Sequence, residues 1–164
     1  ANLRNLTEIF SLFLRRMEKR QILEYLKEAV KSKIQEAEVE LDSIFQSKTH
    51  ETKSSAGDKY ETGMAMLQLE EQKAAVQLAK AKSTEQVLSR IDGDIVHKEA
   101  QLGSLIETSQ GYYFLAIPFG KLAIEENEIF VLSITSPIGQ LLFGKKIGEE
   151  FIFQSNKIHI TGLK

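Results

Sequence analysis

The sequence predicts an α+β chain: a long antiparallel helical coiled-coil hairpin, then a small β-sheet domain with one short helix. Three observations carry this. Apolar residues recur every three or four positions over residues 18–46 and again over 58–91. A polar stretch rich in Ser, Thr and Lys separates the two runs. Beyond Ala100 the pattern changes to short β-prone runs divided by Gly and Pro. The expected organisation is an extension at 1–16, a hairpin at 17–92 with its tip at 47–61, a linker at 93–99 and a domain at 100–164.

The first sixteen residues carry Leu6, Ile9, Phe10, Leu12, Phe13 and Leu14, flanked by Arg4, Arg15 and Arg16. The run is short of the roughly 20 apolar residues that span a bilayer. No small-residue cleavage site follows it. Two readings stay open: an amphipathic N-terminal helix, or sequence ahead of a natural start at Met17.

From Glu18 onward the stripe is Leu23, Leu26, Val30, Ile34, Ala37, Leu41 and Ile44. Lys, Glu and Gln fill the other face, and all favour helix. The break is expected at residues 47–57, ending in Gly57. The return helix carries Met64, Leu67, Glu71, Ala74, Ala75, Leu78, Ala81, Leu88 and Ile91, with Ala74, Ala75, Ala79 and Ala81 as a small-residue seam. Two helices with one apolar stripe each need one another, so they fold back as a hairpin. Gly93 is placed to cap the second helix, and Asp92 and Asp94 suit a turn.

In the second half, strands are expected at residues 105–108, 112–117, 129–134, 150–153 and 157–161. Turns are expected at 118–120 and 125–127. Pro137 suits the first turn of a short helix, with Gly144 just past its end.

Composition narrows the chemistry. Among 164 residues, 42% are hydrophobic and 27% charged, and the net charge is −2. That balance gives no general attraction to nucleic acid or anionic membrane. The absence of cysteine removes disulfides, thiolate metal sites and thiol nucleophiles, and suits a reducing cytoplasm. His50, His97 and His159 are too scattered to suggest a metal site. No nucleophile–base pair or phosphate-binding loop is present.

Two local patterns go further. Gly57-Asp58-Lys59-Tyr60-Glu61-Thr62 resembles the Gly-Asp-x-x-Glu-Asn tip of the Gre transcript cleavage factors of bacterial RNA polymerase, and Glu71-Gln72 on the return helix extends the match. Residues 133–150, with Ser136-Pro137-Ile138-Gly139 and Gly144-Lys145-Lys146-Ile147-Gly148-Glu149, are similar to the same family's Ser-Pro-Ile-Gly and Gly-Lys-x-x-Gly-Asp segment. Gly103 also fits. The resemblance covers residues 18–164.

The resemblance implies an FK506-binding-protein-like fold for 100–164, docking on the polymerase through Ser136, Pro137, Ile138, Gly139, Lys145 and Lys146. It implies a coiled coil that enters the secondary channel of the polymerase. There Asp58 and Glu61 would assist catalysis by sharing a second Mg²⁺ with the polymerase, with no cofactor held by the free protein. Lys53 and Lys59, and Lys48 nearby, would contact RNA or phosphate. The expected protein is a cytoplasmic monomer, without membrane contact, whose partners are RNA polymerase and, indirectly, nascent RNA. It would be an accessory factor with no enzyme activity of its own.

The residues also allow blander roles. Asp58 and Glu61, three positions apart on one helical face, suit capping and the helix dipole equally well. Thr62-Gly63-Met64 stands where the family has Asn-Ala-Glu, and Leu69 where a basic residue is common. Two alternatives follow: a channel regulator that does not stimulate cleavage, and a coiled-coil interaction protein unrelated to transcription.

Overall fold

A computed structural model describes the backbone of residues 3–54, 57–124 and 127–164, with side chains throughout except at 3–18, 51–54 and 58. Two long helices, α1 (Leu3–Ser54) and α2 (Asp58–Ser89), precede strands β1 (Leu105–Thr108), β2 (Gly111–Leu115), β3 (Gly120–Ile124) and β4 (Asn127–Leu132). The short helix α3 (Pro137–Leu142) and strands β5 (Glu150–Phe153) and β6 (Asn156–Leu163) complete an α+β fold. Contacts divide the chain into Lys27–Gln86 and a unit combining Ala1–Leu26 with Val87–Lys164. Among the described residues no helix is long and apolar enough to cross a membrane.

In the unit Lys27–Gln86 the two helices form a hairpin. Val30, Ile34, Ala37 and Ile44 are buried on α1, and Ala74 and Ala81 on α2. Glu38 pairs with Lys82 at 3.1 Å, and Lys48 pairs with Glu71. Stepping back along α1 from Lys48 to Glu38 steps forward along α2 from Glu71 to Lys82, as antiparallel packing requires. Ala75 and Ala79 are exposed, so the small-residue seam narrows to Ala74 and Ala81.

The expected helix break at 47–57 is largely absent, because α1 continues to Ser54. The Ser and Thr residues that suggested a break are absorbed into the helix. Ser47 Oγ donates to Ser43 O and Thr49 Oγ1 to Phe45 O, each at 3.0 Å. Such back-bonding lets polar side chains remain in a helix. No Gly or Pro interrupts residues 3–54, and α1 accordingly begins at Leu3 rather than near residue 18. The side chains of the 1–16 extension lie outside the described residues.

The other unit is built on a six-stranded mixed sheet in the order β3-β4-β2-β1-β6-β5. Only β2 and β4 are parallel; every other neighbouring pair is antiparallel. One sheet face packs with α3 into a core of Ile106, Tyr113, Leu115, Leu142, Phe151, Ile158, Ile160 and Leu163. A bulge keeps β6 in phase with that core. Pairing shifts from Glu107↔Gly162 to Thr108↔Ile160, leaving Thr161 as the extra residue. Ile158, Ile160 and Leu163 therefore all turn inward despite the odd step between the last two.

Five strands were expected and six are present. The additional one, β3, buries only Leu122 and follows Pro118, so it lacks the alternating apolar signal. Of the expected turn at 118–120, Pro118 and Phe119 precede β3 and Gly120 opens it; of the turn at 125–127, residues 125 and 126 lie outside the described residues and Asn127 opens β4.

The segment after α2 is tied to α1 within this unit. Arg90 N–H and Ile91 N–H donate to Val87 O and Leu88 O at 3.2 Å, closing the last turn of α2. Gly93 is not the left-handed cap the sequence suggested, since its φ is not positive. Its lack of a side chain serves close approach: a Cβ there would lie 3.0 Å from Arg20 Cγ. Asp92 Oδ1 accepts from Asp94 N–H at 2.8 Å, and the Asp94 carboxylate accepts from Nε and Nη2 along one edge of the Arg20 guanidinium. Lys19, only 2% exposed, donates from Nζ to Ile95 O at 2.6 Å. Gly103 has φ +85°, and a Cβ there would meet Ile91 Cγ2 at 2.8 Å.

Two measurements check this packing. The β5–β6 turn holds Gln154 at φ 48° and Ser155 at φ 66°, which costs an L-residue roughly 1–2 kcal/mol each. Ser155→Gly is expected to stabilise the protein by about 0.5–1 kcal/mol in chemical denaturation. Burial pulls the Lys19 ammonium down to about 8 from 10.5, against the opposing pull of Asp92 and Asp94. The native state then binds fewer protons than the unfolded chain between those values, so stability rises with pH across that window. Thermal unfolding from pH 8 to 10.5 should show this rise in the wild type and lose it in Lys19→Met.

Candidate functional site

The predicted site residues fall into two groups. The first lies at the hairpin turn. Gly57, with φ +120° and open space around it, carries the chain into α2. Tyr60 N–H donates to Gly57 O at 3.0 Å, closing the first helical turn. Lys59 and Glu61 are both exposed on that turn. Asp58 is the first residue of α2, one helical turn before Glu61, and its side chain and that of Lys53 lie outside the described residues.

The exposed carboxylate of Glu61 at a helix start is chemically able to accept hydrogen bonds or to share a hard cation. Lys48, the third lysine near the tip, pairs with Glu71 across the hairpin. That same contact engages one of the two residues in the Glu71-Gln72 pattern. Leu69 is 52% exposed, and Gly63 sits inside α2, where glycine costs about 1 kcal/mol relative to alanine.

The second group surrounds α3. Ser136 is its N-cap: Oγ accepts from Gly139 N–H at 3.1 Å and donates to Ser133 O at 2.7 Å. Pro137 occupies the first helical position, where its missing N–H is harmless. Gly139 is buried because nothing larger fits; a Cβ would lie 2.1 Å from Ser133 O. Ile138 packs against the core. The Ser-Pro-Ile-Gly pattern therefore has a complete structural explanation, and of its four residues only Pro137 is exposed.

Past α3 the chain turns at Gly144, φ +78°. Ala100 grips this turn through N–H to Lys145 O and O to Gly144 N–H, both at 2.7 Å. Glu149 accepts from Lys146 N–H at 2.7 Å and lies 3.5 Å from Lys145 Nζ. The Lys146 backbone bond, helped by the Lys145 charge, holds the Glu149 carboxyl below its usual range. Lys146 is exposed and Lys145 half-buried.

Sequence reasoning overlooked what accompanies them: Leu141, Phe143 and Ile147 are exposed at 38%, 54% and 60%. The signal was available in the apolar run Leu141-Leu142-Phe143, where a six-residue helix can bury only one side. It also overlooked Lys19, which stands in register with the apolar stripe of α1. Among the described residues no group of three or more His, Asp or Glu could hold a metal ion.

No known family, curated protein or solved structure matches this chain.

If Ser136 and Gly139 act by shaping the turn, their loss should be read in stability. Gly139→Ala is expected to cost about 1–3 kcal/mol through overpacking, and Ser136→Ala about 1 kcal/mol through the lost cap. Chemical denaturation of the two variants checks both values.

Proposed function

We propose that this chain is a Gre-like accessory factor of bacterial RNA polymerase. In this reading α1 and α2 form an antiparallel coiled coil that enters the secondary channel of the polymerase and promotes cleavage of backtracked RNA. Residues 100–164 form an FK506-binding-protein-like domain that docks on the polymerase, with Pro137, Lys145 and Lys146 at the contact and Ser136, Ile138 and Gly139 shaping it. The setting is cytoplasmic, and the protein acts as a monomer.

The observation that carries this reading is the exposed Glu61 on the first turn of the return helix, one turn after Asp58 and directly beyond Gly57. Carboxylates three apart on a helix start share one face. Their oxygens suit Mg²⁺, but two carboxylates leave most of its octahedron to water or to a partner. The donor set therefore fits a shared ion and not a resident one. When bound between both proteins, Mg²⁺ supplies activation of the attacking water and stabilisation of the leaving oxygen. Asp58 and Glu61 would orient it and the water, and Lys59 would offer a cation to RNA phosphate. The protein has no catalytic activity alone in this scheme.

A second reading, a channel-binding regulator without cleavage, is favoured by Thr62-Gly63-Met64 and by the exposed Leu69 in place of a basic side chain.

The test uses a stalled, backtracked polymerase with Mg²⁺. The chain is expected to accelerate RNA cleavage, and Asp58→Asn and Glu61→Gln each to reduce that acceleration by at least about tenfold, which is about 1.4 kcal/mol of transition-state stabilisation. Binding to polymerase should be retained. Undiminished cleavage in the double variant would defeat the reading; binding without any cleavage would select the second one.

A further inference from the structure

Helix α2 carries a second seam on the face turned away from α1. Ala74 and Ala81 are buried in the hairpin, and Glu71 reaches Lys48 across it. Two residues beyond Met64, Leu67, Glu71, Ala74 and Leu78, all at least half-buried, stand Met66, Leu69, Lys73, Val76 and Lys80. At 3.6 residues per turn, that step places them about 200° further round the helix. Met66, Leu69 and Val76 are accordingly exposed at 61%, 52% and 68%.

The order 66-69-73-76-80 alternates steps of three and four, the a/d repeat by which one helix packs on another. One flank of this seam carries Ala65 and Ala79, both exposed, so a second helix can approach closely there. The hairpin has used the opposite face of α2, and this one is left to water.

Charge decides what fits. Lys73 and Lys80 interrupt the apolar positions, and Glu70 borders the seam beside Leu69. None of the three makes an ion pair among the described residues. Two copies packed with their α2 helices parallel would set Lys73 against Lys73 and Lys80 against Lys80. Turned antiparallel about a two-fold axis, a positions face d positions instead. In the register that sets Val76 opposite Lys73 of the other copy, Leu69 lies opposite Lys80. Each Lys80 then covers Leu69 with its aliphatic stem and ends beside Glu70 of the other copy. The seam thus supplies both the cation and its anion.

We propose that the outer seam of α2 holds a second copy of this chain, in an antiparallel pair of hairpins. The pairing does not depend on the polymerase reading. Under that reading the pair is a reserve, from which the acting monomer dissociates by mass action.

Sedimentation velocity of the full chain over a range of concentrations tests this. The wild type should pass from monomer to dimer as concentration rises. Leu69→Glu and Val76→Glu should each weaken the dimer by at least about tenfold, because each sets a charge in the centre of the seam. Val39→Glu, at an exposed apolar position on α1 two residues beyond the buried Ala37, should leave it unchanged. Glu70→Lys and Lys80→Glu should each weaken the dimer, and the two together should restore it. All these positions are exposed in the single chain, and circular dichroism checks that each variant keeps its helices. A wild type that stays monomeric, a dimer indifferent to Leu69→Glu and Val76→Glu, or a double charge exchange without rescue overturns the proposal. A monomeric wild type whose binding to polymerase is weakened by Leu69→Glu also overturns it, and assigns the seam to that partner.

Discussion

Each long helix of this chain has an apolar face that water penalises and only another helix can cover. In the unit Lys27–Gln86, Ile34, Ala37 and Ile44 on α1 close against α2, where Ala74 and Ala81 are buried in turn. Fully burying one isoleucine is worth about 1.5–3 kcal/mol, so this stripe outweighs the exposed ion pairs beside it, at about 0–1 kcal/mol each. The pairs Glu38–Lys82 and Lys48–Glu71 fix register more than they add stability. The turn at Gly57 and the exposed Glu61 follow from that packing. Without the hairpin, Asp58 and Glu61 would be two acids on an isolated helix.

The second unit obeys a different constraint, that of closing a mixed sheet with short connections. The pattern Ser136-Pro137-Ile138-Gly139 solves a local problem: cap a six-residue helix, start it with a fixed φ and let its third turn position touch Ser133 O. Those needs account for Ser136, Gly139 and Ile138 without any partner. What the same turn leaves outside, including Phe143, Lys146 and Ile147, is where a docking surface would have to be read.

Much of the architecture was legible in the sequence because periodicity is a direct imprint of burial. The stripe from Leu23 to Ile44 gave α1 its face, and residues 105–108 and 150–153 emerged as strands at their observed limits. The end of α1 was not legible, because Ser47 and Thr49 look like helix breakers until their hydroxyls bond back to the preceding turn. Strand β3 was hidden because one buried residue, Leu122, makes no pattern. Gly93 misled for a related reason: glycine marks both left-handed caps and close approaches, and only the neighbour, Arg20, tells which. At the candidate site, the sequence did not show that Lys48 pairs with Glu71 or that Ile138 packs against the core, because both contacts are made across the fold.

The most direct measurement of the proposed role is to load the active centre of a bacterial RNA polymerase with Fe²⁺ in place of Mg²⁺ and map where hydroxyl radicals cut the bound chain. Cuts concentrated around residues 57–61, and absent from 100–164, are the predicted result. Binding accompanied by no cuts at the hairpin turn, or by cuts only in the sheet-bearing unit, would contradict delivery of Asp58 and Glu61 to that centre.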